Sequence, residues 1–368
     1  MHTDGNTTNL LGLSESRLAA FFTELGEKPF RARQVLAWMH RRGVDRFEDM
    51  TDLSLALRSR LALLAEVRLP EALSERRSAD GTVKWLFAAG NGQLVEAVFI
   101  PEPDRGTLCI SSQVGCVLDC AFCATGAQGF NRNLTTAEII GQVCHANRRL
   151  PRRAGGEPAV SNVVFMGMGE PLANYRNVVP ALELLVCDRA YGLSRRRVTV
   201  STSGIVPQIE RLGEECNVSL AVSLHAPEDE LRSRLVPINR VHPIDELLDA
   251  CWRYAARHAG RFITFEYVML DQVNDSVAHA DRLAGLLRDR PAKVNLIPFN
   301  PFPGTAFRRS PPAAIETFQN RLRQRGLVAT VRRTRGDDID AACGQLAGKV
   351  SDRIRTRLSE KNSKVATA

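Results

Sequence analysis

The sequence predicts an α/β protein built on a parallel sheet, and two observations carry that expectation. From Thr107 onward, short apolar runs alternate with amphipathic helical patterns. There are six such runs, each followed by enough chain for a crossover helix, which fits an incomplete barrel or a doubly wound sheet. In either architecture, catalytic residues belong in the loops that follow the strand C-termini.

Taken in order, the chain opens with short helices having basic faces between Ser14 and about Leu64, notably Lys28–Met39 and the capped stretch from Thr51. Arg31, Arg33, His40, Arg41 and Arg42 give this helical module a positive side, although a solvated helix face explains the same pattern. Thr82–Phe87 and Gln93–Ile100 read as a hairpin around Gly90-Asn91-Gly92. Period-two alternation places Glu96 on one face with Leu94 and Val98, so a carboxylate sits among apolar neighbours. From position alone, a strand-edge glutamate facing water is the simpler reading.

The six strands are expected at Leu108–Ser112, Asn162–Met166, Val198–Ser201, Val218–Leu224, Phe262–Met269 and Val294–Ile297. Helices are expected near Thr135–Arg148, Val178–Val186, Ile205–Leu212, Ile244–His258 and Ala278–Leu287. A proline-rich exit at 298–312, a helix at Ala313–Arg325, a strand near Val328–Arg332 and a cysteine-bearing loop at Arg335–Gly348 close the pattern. The implied organisation is a helical accessory module over 1–75 whose basic side would suit an RNA partner, a hairpin linker carrying Glu96 over 76–106, and the parallel α/β region, as a barrel or open sheet, over 107–300. A C-terminal extension carrying Cys343 over 301–350 and a basic, partly disordered tail over 351–368 follow. Residues 1–8 are the other candidate for disorder.

A chain of 368 residues, 44% hydrophobic and 24% charged, can bury a sizeable core and reads as a soluble globular protein. Lys and Arg total 49 against 41 Asp and Glu, and the resulting formal charge of +8 favours a polyanionic partner such as nucleic acid. The start of the sequence has no basic segment followed by an apolar run, and no stretch reaches transmembrane length. Nine cysteines, an odd number at low density, argue against a paired extracellular framework. A cytoplasmic setting with metal or redox chemistry, and no membrane, is the expectation.

Cys116-Val-Leu-Asp-Cys120-Ala-Phe-Cys123 sits directly after the first strand of the α/β region. A loop there can fold three thiolates around one centre, holding three irons of a 4Fe-4S cluster and leaving the fourth open. The open iron can chelate the amino and carboxylate groups of S-adenosylmethionine. A zinc site is the alternative, but it would need Cys144 or His145 as fourth ligand and its usual paired C-x2-C spacings are missing.

This Cys-x3-Cys-x-aromatic-Cys loop resembles the signature of the radical S-adenosylmethionine (SAM) enzymes, which implies an incomplete (β/α)6 barrel flanked here by the N-terminal module and C-terminal extension. The resemblance narrows through Cys109–Cys116, Gly129–Leu134, Met166–Pro171, Ser223–His225 and Arg335–Leu346. Together these motifs are similar to those of the RlmN family, dual-specificity 23S rRNA and tRNA adenine C2 methyltransferases. The resemblance implies methylation of adenine 2503 in 23S rRNA and adenine 37 in tRNAs by a monomer. It implies two S-adenosylmethionine molecules per turnover and an electron donor such as flavodoxin.

Residue by residue, the resemblance implies cluster ligation by Cys116, Cys120 and Cys123. Binding of S-adenosylmethionine falls to Gly169, Glu170, Ser201, Ser223, Leu224, His225 and Asn300. Unaided, His225 reads as a packing histidine and Asn300 as a turn residue. Cys343 is the implied methyl carrier, Glu96 the proton acceptor with basicity raised by burial, and Cys109 the thiol that pairs transiently with Cys343 to release product. Cys144, Cys187, Cys216 and Cys251 read as small buried hydrophobes. Two other readings share much of this pattern: a C8-directed rRNA methyltransferase, and a non-catalytic iron–sulfur RNA-binding sensor.

Overall fold

The computed structural model describes residues 7–258, 260–350 and 352. Residues 1–6, and the basic tail over 351–368 apart from Asp352, lie outside the described residues. Ten strands form one sheet: β1 (Ala72–Arg77), β2 (Val83–Ala88), β3 (Leu94–Pro101), β4 (Gly106–Cys109), β5 (Asn162–Phe165), β6 (Val198–Thr202), β7 (Ser219–Ser223), β8 (Ile263–Met269), β9 (Ala292–Pro298) and β10 (Val328–Val331). Their spatial order is their chain order.

Strands β4 to β9 pair in parallel, each with its successor, and form a six-stranded incomplete barrel, one of the two architectures that fit the alternating pattern and the one the family resemblance implies. Parallel pairing requires both faces to be covered, so these strands read as continuous apolar runs. Val198, Val200, Leu220, Ala221, Val222, Ile263, Phe265 and Tyr267 are accordingly buried. Three N-terminal helices, α1 (Glu15–Glu24), α2 (Phe30–Leu36) and α3 (Leu55–Leu64), precede the sheet. The crossovers are α4 (Thr136–Arg149), α5 (Tyr175–Val186), α6 (Val206–Glu215), α7 (Ile244–Arg257) and α8 (Val277–Leu286), and α9 (Pro312–Gln324) leads to β10. Local chemistry fixes their starts. Thr135 and Glu138 form a capping box that satisfies two backbone donors at the head of α4.

On one edge the sheet continues as antiparallel strands, β4 with β3, β3 with β2 and β2 with β1. The hairpin carrying Glu96 therefore extends the barrel sheet, and β1 runs across position 75. The sequence gives little warning of β1. Its Ala-Leu-Ser-Glu-Arg-Arg lacks an apolar alternation because it is an edge strand facing water, where charge protects against further pairing. On the other edge, β10 adds in parallel to β9.

The N-terminal helices pack into the same core as the barrel, with Leu10, Leu11, Leu18, Phe22, Leu36 and Met39 fully buried. No helix among the described residues is long and apolar enough to cross a membrane.

Candidate active site

The cysteine loop is shaped by a small antiparallel pair, Gln113–Gly115 with Phe130–Asn133, too short to leave a periodic signature. Gly115 adopts a φ of +76°, and a Cβ there would lie 2.0 Å from the Gly129 carbonyl oxygen, so only glycine permits the turn into the loop. Cys116 N–H then donates to Gly129 O at 2.9 Å, and Cys123 N–H to Cys120 O at 3.1 Å. Burial, followed by the influence of the neighbouring thiols, pushes Cys116 far up and Cys120 up to about 12. Three half-buried thiols thus lie close together, with Cys123 helping to disfavour ionisation of Cys116 and Cys120.

A cationic centre in that space reverses this balance, because coordination deprotonates a thiol outright. Among the described residues, no group of three His, Cys, Asp or Glu is gathered tightly enough for a single metal ion. The donor set, all sulfur and spread along a loop, fits an iron–sulfur cluster, which is wider than one ion.

Around the loop stands the rim of strand ends. Gly169 has a φ of +103°, and a Cβ there would meet the Gln113 side chain at 2.5 Å. Glu170 is buried and accepts from Ser203 N–H at 2.8 Å and Leu172 N–H at 3.1 Å, while desolvation pushes its carboxyl above the usual range. Ser201 lies near the end of β6, Ser223 ends β7, and Leu224 and His225 follow. His225 has a φ of +60°, its Nδ1 accepts from Val268 N–H at 3.0 Å, and its ring meets that of Phe122 from the cysteine loop at 4.5 Å. Burial pushes it down to about 3, so it is a neutral ring with Nε2 as its donor.

Beneath this rim lies Arg232, fully buried. Its guanidinium donates to Asn239 Oδ1 and Ser203 O at 2.7 Å and to Leu224 O and Ser223 O at 3.1 Å. One side chain thereby ties together the loops after β6 and β7.

The C-terminal extension returns across the barrel mouth and lies on the cysteine loop. Ala124 N–H donates to Gly344 O at 2.9 Å, Thr125 Oγ1 to Leu346 O at 2.6 Å and Gln128 Nε2 to Gly348 O at 2.8 Å. Asn300 Nδ2 donates to Cys343 O at 3.1 Å, so in this structure Asn300 secures the extension. Cys343 is thereby set beside Cys123, Cys109 and the guanidinium of Arg332. Both Cys109 and Cys343 are free thiols. Burial raises both, Cys109 to about 12, and Arg332 opposes that rise at each.

Glu96 is only 6% exposed, unlike a strand-edge glutamate facing water. Its carboxylate accepts from Lys84 Nζ at 3.1 Å and from Ala347 N–H at 2.9 Å, and it lines a cleft of about 430 Å³ with Phe302, Gln345 and Ala347. Lys84 Nζ also donates to Asp340 O at 3.1 Å. The setting expected to be apolar thus contains a cation and a backbone donor.

Residues 8–67 match the family described as Ribosomal RNA large subunit methyltransferase N-terminal domain, and residues 110–284 match the Radical SAM superfamily. The chain is 46% identical to a radical SAM methyltransferase from Sphaerobacter thermophilus, with 92% of this chain and 99% of that chain covered at a TM-score of 0.86. This chain belongs to the RlmN-type radical SAM methyltransferases. Its cofactors are a 4Fe-4S cluster and S-adenosylmethionine. A more distant similarity is to a domain of a pyruvate-formate lyase-activating enzyme from Bacteroides vulgatus, 18% identical over 47% of this chain and 99% of that one, with a TM-score of 0.37.

Three residues of this RlmN-type enzyme were not legible in its sequence as site residues: Lys84, Arg232 and Arg332. The hairpin register held a signal for the first, since Leu86 opposes Glu96 and Lys84 therefore lies diagonally across from it on the same face. Arg232 stands in a charged stretch of both signs and Arg332 in a basic one, where nothing marks one arginine as buried. The Lys84–Glu96 pair gives a direct test. Lys84→Met leaves a buried carboxylate without its cation, and the expected cost is about 3–5 kcal/mol in chemical denaturation. Lys84→Met with Glu96→Gln is expected to recover most of it, and equal stability of both variants would show that the pair does not couple.

Proposed function

We propose that this radical SAM methyltransferase adds a methyl group to C2 of adenine 2503 in 23S rRNA and of adenine 37 in tRNAs, consuming two S-adenosylmethionine molecules per turnover. The observation that carries this reading is the docking of the Cys343 segment between the cysteine loop, Cys109 and Glu96. Adenine C2 is an electron-poor carbon and does not attack a methyl sulfonium as an amine would. A carrier that delivers a one-carbon unit by radical addition meets that difficulty.

In this reading Cys116, Cys120 and Cys123 hold the cluster, and Gly169, Glu170, Ser201, Ser223, Leu224, His225 and Asn300 hold S-adenosylmethionine at the strand ends. The buried Glu170 carboxylate retains lone pairs to accept from the methionine ammonium. When bound, the cluster supplies the electron that cleaves S-adenosylmethionine. Cys343 acts as a thiolate nucleophile and takes the methyl group of the first S-adenosylmethionine, which leaves as S-adenosylhomocysteine, with Arg332 offsetting part of the cost of a buried thiolate. The carbon on its sulfur gives up one hydrogen atom to the 5′-deoxyadenosyl fragment of the second S-adenosylmethionine and bonds to C2. The adduct loses one electron, which the cluster, when bound, would take back, and Glu96 accepts the proton that C2 must lose. Cys109 then bonds to the Cys343 sulfur as that sulfur's bond to carbon breaks, and the released carbon keeps the bonding pair, takes a proton and leaves as the methyl group of the base.

The test is mass spectrometry of nucleosides from 23S rRNA fragments and tRNA treated with the reconstituted enzyme. The expected product is 2-methyladenosine. Detection of 8-methyladenosine in its place would replace the C2 assignment, and consumption of S-adenosylmethionine with unmodified RNA would remove RNA as the substrate.

A further inference from the structure

A second cavity, of about 540 Å³, lies at the opposite end of the barrel. Val160 and Ser161 line it immediately before β5, and Arg197 immediately before β6, whereas the cysteine loop and the rim follow strand C-termini. The N-terminal module supplies its other wall through His40, Arg41, Arg42 and Gly43.

The lining is strongly basic. Arg41, Arg42, Arg148, Arg152, Arg153 and Arg197 contribute to it, against the single carboxylate of Glu157. Several of these are held in place from within: Arg148 by Asp45 at 2.7 Å, Arg152 by Gly156 O and Arg153 by Asp104 O at 2.6 Å, and Arg42 over the Trp38 ring at 3.9 Å. Arg41 and Arg197 have no acidic partner among the described residues. By contrast, Arg31 and Arg33 on the same module pair with Glu27 and Glu15. Arg41 and Arg42 thus bring to this cavity charge of the module that no carboxylate among the described residues offsets.

An independent observation points to a ligand. His40 is 93% buried by its 7% exposure, lines the cavity, and its Nε2 has no hydrogen-bond partner among the described residues. Its Nδ1 lies 3.2 Å from the Tyr191 hydroxyl. In the tautomer in which Tyr191 donates to Nδ1, Nε2 carries a proton that nothing among the described residues accepts. Burial pushes His40 down to about 3, so the ring is neutral and offers a hydrogen bond rather than a charge. The helix ends there in one wider turn, Arg42 N–H donating to Ala37 O, a local departure that places His40 and Arg41 side by side at the wall.

We propose that this cavity is a phosphate-binding site separate from the catalytic end, taking a phosphate group of either an RNA backbone or a free nucleotide. Arginine-rich walls with a neutral N–H donor match phosphate oxygens, which accept forked and single hydrogen bonds together. The volume is that of a small-molecule site. The RNA source rests on the function proposed above; the free-phosphate source does not.

The test uses the full chain and the double variant Arg41→Gln, Arg197→Gln, both exposed positions remote from the cysteine loop. Each protein is titrated with inorganic pyrophosphate and, separately, with a 23S rRNA fragment over a range of salt, while S-adenosylmethionine cleavage reports an intact catalytic end. For a backbone phosphate, the variant is expected to bind the RNA about tenfold more weakly, with a salt slope smaller by about 1.5. For a free phosphate, pyrophosphate is expected to bind the unaltered chain saturably and the variant about tenfold more weakly. Pyrophosphate binding that is lost in the variant, with no RNA binding by either protein, would keep the cavity and remove the RNA function. Equal binding of both probes by the two proteins, or binding of neither probe by the unaltered chain, would overturn the proposal.

Discussion

Replacing Cys109 with alanine is expected to trap the protein on its RNA. The proposed route joins Cys343 to adenine covalently, and only a second thiol can take over the Cys343 sulfur and let the base depart. Cys109 is the thiol placed for this, buried at the end of β4 beside Cys343 and sharing Arg332 with it. Cys109→Ala retains the methyl carrier, the cysteine loop and Glu96, so it should accumulate RNA-linked protein, visible as a nuclease-sensitive shift on a denaturing gel. Cys343→Ala should give neither adduct nor product, a loss of at least about 10³-fold, the scale of removing a covalent catalyst. Normal turnover by Cys109→Ala with no cross-link would show that release takes another path.

Substituting Cys116, Cys120 or Cys123 by alanine is expected to abolish cluster absorbance and S-adenosylmethionine cleavage together. A site with three protein ligands has none to spare. The three positions also differ structurally. Cys123 N–H closes the loop on Cys120 O, and the next residue, Ala124, anchors the extension through Gly344. Substitution of the side chain leaves those backbone contacts in place, so the variants should stay folded and monodisperse while losing colour. Full cleavage activity in any one of them would overturn the assignment of that cysteine.

The barrel was legible because burial on both faces leaves a strong residue pattern. The runs at Val198–Ser201 and Phe262–Met269 could be little else, and their strands fall within a residue or two of expectation. The exposed edge strand Ala72–Arg77 left no such pattern because one side meets water. The cysteine loop declared itself by spacing, since three ligands to one centre must be close in sequence when one loop supplies them. Cys109 and Cys343 are brought together by the fold across more than two hundred positions, and no local pattern encodes such a meeting. Only likeness to a family singled them out. Arg232 shows the same limit in another form, because its burial depends on loops after two other strands that converge upon it.

The extension that bears Cys343 closes the mouth of the barrel through loop contacts instead of a strand ladder. Leu94 N–H meets Lys349 O at 2.8 Å, Gly336 N–H meets Asp80 at 3.1 Å, and the Glu96–Ala347 bond spans 251 positions of sequence. Contacts of that separation pay the largest loop-closure entropy and form late. On the ribosome, β4 to β9 can pair and bury their apolar faces while the final segment is still unsynthesised. Cys343 therefore joins its neighbours as a closing event of biosynthesis. A nascent chain that has reached only β10 already contains the cysteine loop, yet it lacks Cys343, the proposed methyl carrier.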